Sequence, residues 1–144
     1  MFKRKLLVML SLIGCLSINT AFAAHAAPEK CPNLSYNSSW TRTMNVDGLG
    51  LFVVQQSAAY DTSEQWTTGI GPINASTQDE AFQEATRLAA DLTLMDGPTE
   101  ETEDGNTMWM CLYYSSSQNV AGIAMTPPQT IPDKLMNFAR KYRH

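Results

Sequence analysis

The chain has 144 residues, with 14 acidic and 10 basic side chains and a formal net charge of −4 at pH 7. That length suits one small domain. The acidic balance argues against nucleic acid as a partner, because nucleic-acid binding depends on lysine and arginine that neutralise phosphates.

The N-terminus has the three-part pattern of a secretory signal peptide. Positions 3–5 are basic, positions 6–18 form an apolar run, and Ala21-Phe22-Ala23 fits a small-x-small cleavage site. The run of about 13 residues is too short for a membrane anchor, since a spanning helix needs roughly 20. We therefore expect cleavage after Ala23 and an exported product in the periplasm or the secreted fraction. The remaining chain would hold 7 basic against 14 acidic side chains, a net charge of −7.

A second cleavage site lies inside the same stretch. Leu12-Ile13-Gly14-Cys15 fits a lipoprotein cleavage box, which would leave a lipid on Cys15 and anchor the protein in the outer membrane. Cleavage there leaves an apolar run of only about eight residues, close to the lower limit for a leader. The pattern favours the soluble product. A membrane is an expected partner only if Cys15 is lipidated.

Three cysteines are present, and two of them remain in the exported chain. Cys15 is either discarded or lipidated, which leaves Cys31 and Cys111. An exported protein meets an oxidising compartment, where two such cysteines pair. The sequence therefore predicts a Cys31–Cys111 disulfide.

After the leader, positions 24–46 read as a loosely structured segment tied by Cys31, and 47–144 as a single α+β domain. A short strand or helix near 35–44 stays open. Apolar and β-branched residues at 49–56 predict a strand. Alternation at 64–70 predicts a second strand, which Gly71-Pro72 is expected to end.

The clearest predicted element is a helix from Thr77 to Met95. Thr77 and Glu80 form a capping box, and apolar residues follow at helical spacing. Gly97 and Pro98 are expected to stop the helix.

An acidic loop is expected at 99–106, then a hairpin of strands at 107–114 and 119–126, and a last short helix starting near Asp133. The order predicts an α+β fold: an antiparallel four-stranded sheet in ββαββ order, with one helix packed on a face and a short C-terminal helix.

Catalytic chemistry has little support in the sequence. The two histidines, His25 and His144, lie at the cleavage zone and at the last position, which disfavours a catalytic triad or a histidine zinc site. The disulfide removes both remaining cysteines as nucleophiles. The acidic loop lacks the spacing of a calcium-binding EF-hand loop. We therefore predict no catalytic, cofactor-binding or metal-ligating residue, and no cofactor.

Aromatic residues offer a candidate binding surface formed by Trp66, Trp109, Tyr113 and Tyr114. The competing interpretation places Trp66 and Trp109 in the core, facing the helix. The strand at 107–114 is apolar on both faces, so either it is central and covered on both sides or one face meets a partner.

Short motifs in the chain resemble those of a known family. They are "CPN" after the leader, W-T-x-G-I-G-P before the helix, D-G-P after it, then W-x-C-L-Y and A-M-T-P-P, spanning roughly Cys31 to Pro128. This pattern resembles a family of small exported proteins of gammaproteobacteria, known only as a domain of unknown function. The resemblance implies a bacterial source and an envelope or secreted location, and it implies no activity and no catalytic residues.

The sequence thus favours an exported, non-catalytic module that binds an unknown protein or envelope component. The alternative is a small hydrolase that uses carboxylates or tyrosines on a cell-wall or extracellular substrate.

Overall fold

A computed structural model of the protein describes residues 25–36, 39–46, 50–130 and 132–141. The predicted signal peptide at 1–23, with its cleavage site at Ala23 and the alternative lipid site at Cys15, lies outside the described residues. In the described part of the chain, no helix is long and apolar enough to cross a membrane.

The described ranges contain six strands and two helices in one α+β arrangement. In chain order they are β1 (Arg42–Val46), β2 (Leu51–Ala58), β3 (Trp66–Asn74), α1 (Gln78–Asp91), β4 (Thr93–Glu103), β5 (Asn106–Ser115), β6 (Val120–Thr126) and α2 (Pro132–Lys141). The strands form one antiparallel sheet in the order β1-β2-β3-β6-β5-β4. The predicted α+β class is confirmed. The predicted four-stranded ββαββ sheet is wrong, because β1 and β4 add an edge strand at each side.

Strand β4 occupies a segment that the sequence assigned to a helix end and an acidic loop. Helix α1 ends at Asp91, before the predicted end at Met95. The acidic stretch then pairs with β5, with Thr93 opposite Tyr114 and Glu103 opposite Asn106. An edge strand has one side open to solvent and tolerates carboxylates along its length. The acidic composition of this segment indicated a loop. In the structure the segment is a strand, because β5 supplies the partners for its backbone hydrogen bonds.

Gly97 does not stop the helix as predicted, because it lies within β4. Its φ is +118°, and a Cβ added to it would lie 2.6 Å from the Met110 carbonyl oxygen and 2.8 Å from the Cys111 Cα. The glycine is needed where β4 passes against β5, and its conformation fits no other residue well.

Strand β1 falls in the segment predicted to be loosely structured, where a short strand or helix had stayed open. It pairs with β2, with Arg42 opposite Gln55 and Val46 opposite Leu51. None of its residues is fully buried. Its only apolar residues are Met44 and Val46, and an alternation that short does not distinguish a strand from a helix.

Strand β3 continues through Gly71-Pro72, which had been expected to end it. Strand β6 pairs with β3 only up to Gly71, and the β2 register shifts between Phe52 and Val54. Pro72 therefore lies where the ladder does not need its missing N–H, the kind of position that proline tolerates in a sheet.

The remaining predicted elements are confirmed with small shifts at their ends. Strand β2 was predicted at 49–56, and the β5–β6 hairpin at 107–114 and 119–126. Helix α2 begins one residue before the predicted start at Asp133.

The two helices lie on opposite faces of the sheet. Helix α1 contributes Ala81, Ala85 and Leu88 to a core with Trp66 and Ile70. Helix α2 contributes Leu135 to a second core whose buried sheet residues are Val53, Met108, Ala121, Ile123 and Met125. Strand β5 lies inside the sheet, with Cys111 in the first core and Met108 in the second. Its two apolar faces are thus explained by a core on each side.

Thr77 is confirmed as the N-cap of α1, but the reciprocal hydrogen bond of the predicted capping box goes to Ser76 rather than to Thr77. The Glu80 N–H donates to Thr77 Oγ1 at 3.2 Å, and Glu80 Oε2 accepts from the Ser76 N–H at 2.8 Å. We expect Thr77→Ala to lower the free energy of unfolding by about 1 kcal/mol, because it removes the acceptor for an orphan helix N–H. Urea denaturation measures the change. Thr86→Ala, on the exposed side of the same helix, is the control, and an equal loss there would contradict a capping role.

Candidate functional site

A polar pocket lies on the face of the sheet that carries α2, over β1, β2 and β3. Its volume is about 460 Å³. The described residues that line it are Thr41, Arg42, Gln55, Gln56, Ser57, Thr67, Pro128, Gln129 and Thr130. They come from three strands and from the connection between β6 and α2.

The strand register brings the polar side chains of the pocket together. Arg42 lies opposite Gln55 on β1 and β2, and Ser57 lies opposite Thr67 on β2 and β3. Directly opposite residues of antiparallel strands point to the same face, as do residues two apart on one strand. All four side chains therefore project to one side of the sheet.

The floor of the pocket is left open by a change of residue type along β2. Val53 lies in the core beneath α2, whereas Gln55, two residues later on the same face, lines the pocket. Gly69 is the β3 residue opposite Gln55, and it has no side chain to cover the amide. The apolar core under α2 thus gives way to a polar cavity beside it.

The amide of Gln55 is buried without a complete set of partners. Gln55 is only 7% exposed, and its Nε2 has no hydrogen-bond partner. Among the described residues, Trp40 Nε1 is also buried without a hydrogen-bond partner. Buried polar atoms in folded proteins nearly always have a partner. Gln55 therefore lines the pocket and carries an unsatisfied donor, Nε2, that lies beneath the surface of the pocket wall.

Arg42 is an exposed cation at the rim, and it forms no ion pair with the part of the chain that the structure describes. Three other cations are paired: Lys30 with Asp61, Arg87 with Glu84 and Asp91, and Lys134 with Glu103. None of the described residues that line the pocket is acidic. A guanidinium in such surroundings favours an anion.

Two hydroxyl groups complete the described polar wall. Ser57 Oγ and Thr67 Oγ1 lie 3.2 Å apart and share a hydrogen bond. A hydroxyl both donates and accepts, so either group can also bind a ligand atom. The pocket as a whole is rich in donors, which suits a ligand rich in acceptor oxygens.

The predicted disulfide between Cys31 and Cys111 is present. It ties residues 25–36 to the face of the sheet that α1 only partly covers. Tyr113 Oη donates to the Pro32 carbonyl oxygen at 2.6 Å, and Asp61 Oδ1 accepts from the Asn33 N–H at 2.7 Å. The hydrogen bond from the Asn33 N–H is the largest cause that lowers the pKa of the Asp61 carboxyl, and the hydrogen bond from Lys30 is the next largest.

The four aromatic residues of the predicted binding surface do not share one exposed surface. Trp66 is fully buried in the α1 core, and Tyr113 is buried beneath the N-terminal segment. Trp109 is half-buried, and its Nε1 donates to the His25 carbonyl oxygen at 3.0 Å. Tyr114 is half-buried on the opposite face of β5.

The buried tyrosines are poor candidates for acid–base chemistry. Burial raises the pKa of Tyr60 to about 12, although its hydrogen bond to Thr68 acts in the opposite direction. Burial also raises the pKa of Tyr113. A catalytic base needs a pKa near the working pH, and burial moves the pKa of both phenols further from it.

Among the described residues, no three histidine, cysteine or acidic side chains are grouped closely enough to hold a metal ion.

The sequence did not identify the pocket residues. The one local signal was the polar Gln55, Gln56 and Ser57 at the end of an otherwise apolar strand. That signal became informative only once β1 placed Arg42 opposite Gln55.

Comparison with known proteins identifies the chain by its family. No curated protein and no solved structure matches it. A family model described as Domain of unknown function (DUF4949) matches residues 30–138 of the 144, a range that includes the disulfide, the sheet and all of the described pocket wall. The chain therefore belongs to the DUF4949 family, whose function is unknown.

Proposed function

We propose that the protein is an exported, non-catalytic binding module of the bacterial envelope or secreted fraction, and that the polar pocket holds its ligand. The observation that carries this proposal is the buried, unpartnered Gln55 amide in a pocket whose only described charge is Arg42. An unsatisfied buried donor lowers stability. A ligand acceptor would relieve that penalty by drawing the Gln55 amide round, so that Nε2 reaches the pocket surface and donates to the ligand.

Export is supported by two features of the chain. The leader pattern at 1–23 predicts secretion, and the Cys31–Cys111 disulfide is typical of an oxidising compartment. The resemblance to small exported proteins of gammaproteobacteria supports a bacterial source. Lipidation of Cys15 would place the same module on the outer membrane.

The hydrolase alternative finds less support in the pocket. Hydrolysis by carboxylates needs two acidic groups across a cleft, and the described lining residues include none. A tyrosine-based mechanism needs an accessible phenol with a lowered pKa, whereas the pKa of Tyr60 and that of Tyr113 are both raised. The donor-rich wall is better suited to binding than to proton transfer.

A pocket-filling variant tests the proposal. The purified protein would be titrated with sugars, amino acids and organic acids at about 10 mM each, a range that detects even weak binding. We expect amide chemical shifts to change around Arg42, Gln55 and Thr67 for at least one compound. Ser57→Phe places a ring in the pocket and should weaken that binding about tenfold or more.

The matched control is Thr102→Phe, which adds the same ring to an exposed position on β4, at the far edge of the sheet. It should bind as the unmodified protein does. The proposal fails if no compound moves the pocket resonances, or if Ser57→Phe and Thr102→Phe bind equally well.

A further inference from the structure

We infer that the polar pocket binds a small carboxylate, which pairs with Arg42 and accepts a hydrogen bond from the Gln55 amide. The inference rests on the proposed function, since it names the class of ligand for the same pocket. The ligand class follows from charge, from hydrogen-bond geometry and from size.

Charge selects an anion. Lys30, Arg87 and Lys134 each have a carboxylate partner in the protein, but Arg42 has none among the described residues. The chain as a whole carries an excess of acids, 14 against 10 bases. A guanidinium that stays unpaired in an acidic protein, beside a pocket without described acids, is free to bind an external anion. Its planar donors match a carboxylate in bidentate fashion.

The position of the two donor groups in the pocket favours a ligand group that carries two acceptor oxygens. Arg42 and Gln55 are directly opposite each other on β1 and β2. Cβ atoms of such a pair lie about 4.5 to 5.5 Å apart. An ionised carboxylate is an acceptor only, with two oxygens on one carbon. Both oxygens can accept from the guanidinium, and a remaining lone pair can accept from Gln55 Nε2 once the amide turns that atom to the pocket surface.

A single cation also argues for a single negative charge. A phosphate monoester carries nearly two charges at pH 7, and the described wall would neutralise only one of them. A neutral polyol would use the hydroxyls of Ser57 and Thr67 but would leave Arg42 unpaired. A carboxylate with a hydroxylated or amide-bearing body satisfies the cation, the amide and the hydroxyl pair together.

Size limits the ligand to a small molecule. The pocket of about 460 Å³ is within the range of roughly 300 to 1,000 Å³ that is usual for small-molecule sites. Two common sources of carboxylate fit that volume: a short peptide with a free C-terminus, and a sugar acid. Both present the same group to Arg42 and Gln55.

Matched ligand pairs test the inference by calorimetry and amide chemical shifts on the full purified protein. Alanylalanine is compared with its C-terminal amide, and glucuronate with glucose. We expect the acid of at least one pair to bind at the pocket and its neutral partner to bind at least about tenfold more weakly, the loss of one charge-assisted hydrogen bond. The pair that responds identifies the source of the carboxylate. Inorganic phosphate is the competing anion.

Two variants separate a binding role from a structural one. Arg42→Gln should weaken carboxylate binding by about 10- to 100-fold, and Arg87→Gln, which removes a paired surface arginine, should leave it unchanged. Gln55→Leu keeps the volume and removes the unpartnered amide. It should weaken binding roughly tenfold while the melting temperature stays equal or rises, whereas a purely structural glutamine would lower it.

The outcomes distinguish the inference from the proposed function. Tighter binding of phosphate, equal binding of acid and neutral partner, or an unchanged affinity in both Arg42→Gln and Gln55→Leu overturns the carboxylate inference. A neutral compound that still binds in the pocket would leave the proposed function standing. If no compound of any charge moves the pocket resonances, both fail.

Discussion

Loss of the Cys31–Cys111 disulfide is expected to lower the free energy of unfolding by about 4 to 5 kcal/mol. The two cysteines are 80 residues apart, and a bond across so long a stretch restricts the unfolded chain strongly in the chain-entropy model. A small domain has only about 5 to 15 kcal/mol of total stability. The reduced protein should therefore be close to its unfolding limit at room temperature.

The loss should also release the N-terminal segment first. Residues 25–36 lie on the sheet through the disulfide, the hydrogen bond from Tyr113 to Pro32 and the contacts of Asp61 with Lys30 and Asn33. Without the covalent bond, these polar contacts, the hydrogen bond from Trp109 to His25 and the burial of Pro28, Pro32 and Leu34 oppose the entropy of the freed segment.

Urea denaturation of the oxidised and the thiol-reduced protein measures the difference without a change of sequence. Cys31→Ala, Cys111→Ala and the double variant provide the controls, because breaking either half of one bond should give nearly the whole effect of breaking both. Alkylation and mass spectrometry should find no free thiol in the oxidised protein. Equal denaturation midpoints before and after reduction would contradict the prediction.

Gly97→Ala is expected to lower the free energy of unfolding by about 3 to 5 kcal/mol, from backbone strain and overpacking together. The φ of Gly97 is +118°, which side-chain-bearing residues rarely adopt. The added methyl would lie 2.6 Å from the Met110 carbonyl oxygen and 3.1 Å from Cys31 Sγ. It therefore pushes against β5 and the disulfide at the same time.

Gly105→Ala is the matched control for this substitution. Gly105 also has a positive φ, +77°, but nothing lies within 4 Å of its added Cβ. The Gly105→Ala substitution should lower the free energy of unfolding by only about 1 to 2 kcal/mol, from backbone strain alone. The difference between the two variants isolates the close approach of β4 to β5. A folded Gly105→Ala beside an insoluble Gly97→Ala gives the same answer, and equal losses would contradict it.

Edge strands account for most of the errors in the predicted fold. Strand β4 carries Glu100, Glu101 and Glu103, and its acidity indicated a loop. Strand β1 has no buried residue, and its pattern indicated nothing definite. In both cases the stabilising hydrogen bonds come from a neighbouring strand, which local sequence does not report.

The candidate site shows the same limit. Arg42 and Gln55 are directly paired across β1 and β2, and Gln129 reaches the pocket from the connection before α2. Each of these residues is ordinary in its own stretch of chain. The aromatic residues attracted attention instead, but Trp66 and Tyr113 are buried in the core.

What the sequence determined by itself is what short-range physics controls. The N-cap at Thr77, the apolar stripe of α1, the alternation in β3 and the β5–β6 hairpin all depend on neighbours close in the chain. The pairing of Cys31 with Cys111 followed because only two cysteines lie beyond the predicted leader.

The tertiary structure decided the two edge strands, the place of Gly97 within β4 and the pocket beside α2. Each of these depends on groups brought together from distant positions: a partner strand for β4, a close backbone for Gly97, and an opposite residue for Gln55. The free energy of such contacts belongs to the pair rather than to either residue. A local pattern therefore predicts a helix cap, whereas the unsatisfied amide and the unpaired arginine become visible only in the folded sheet.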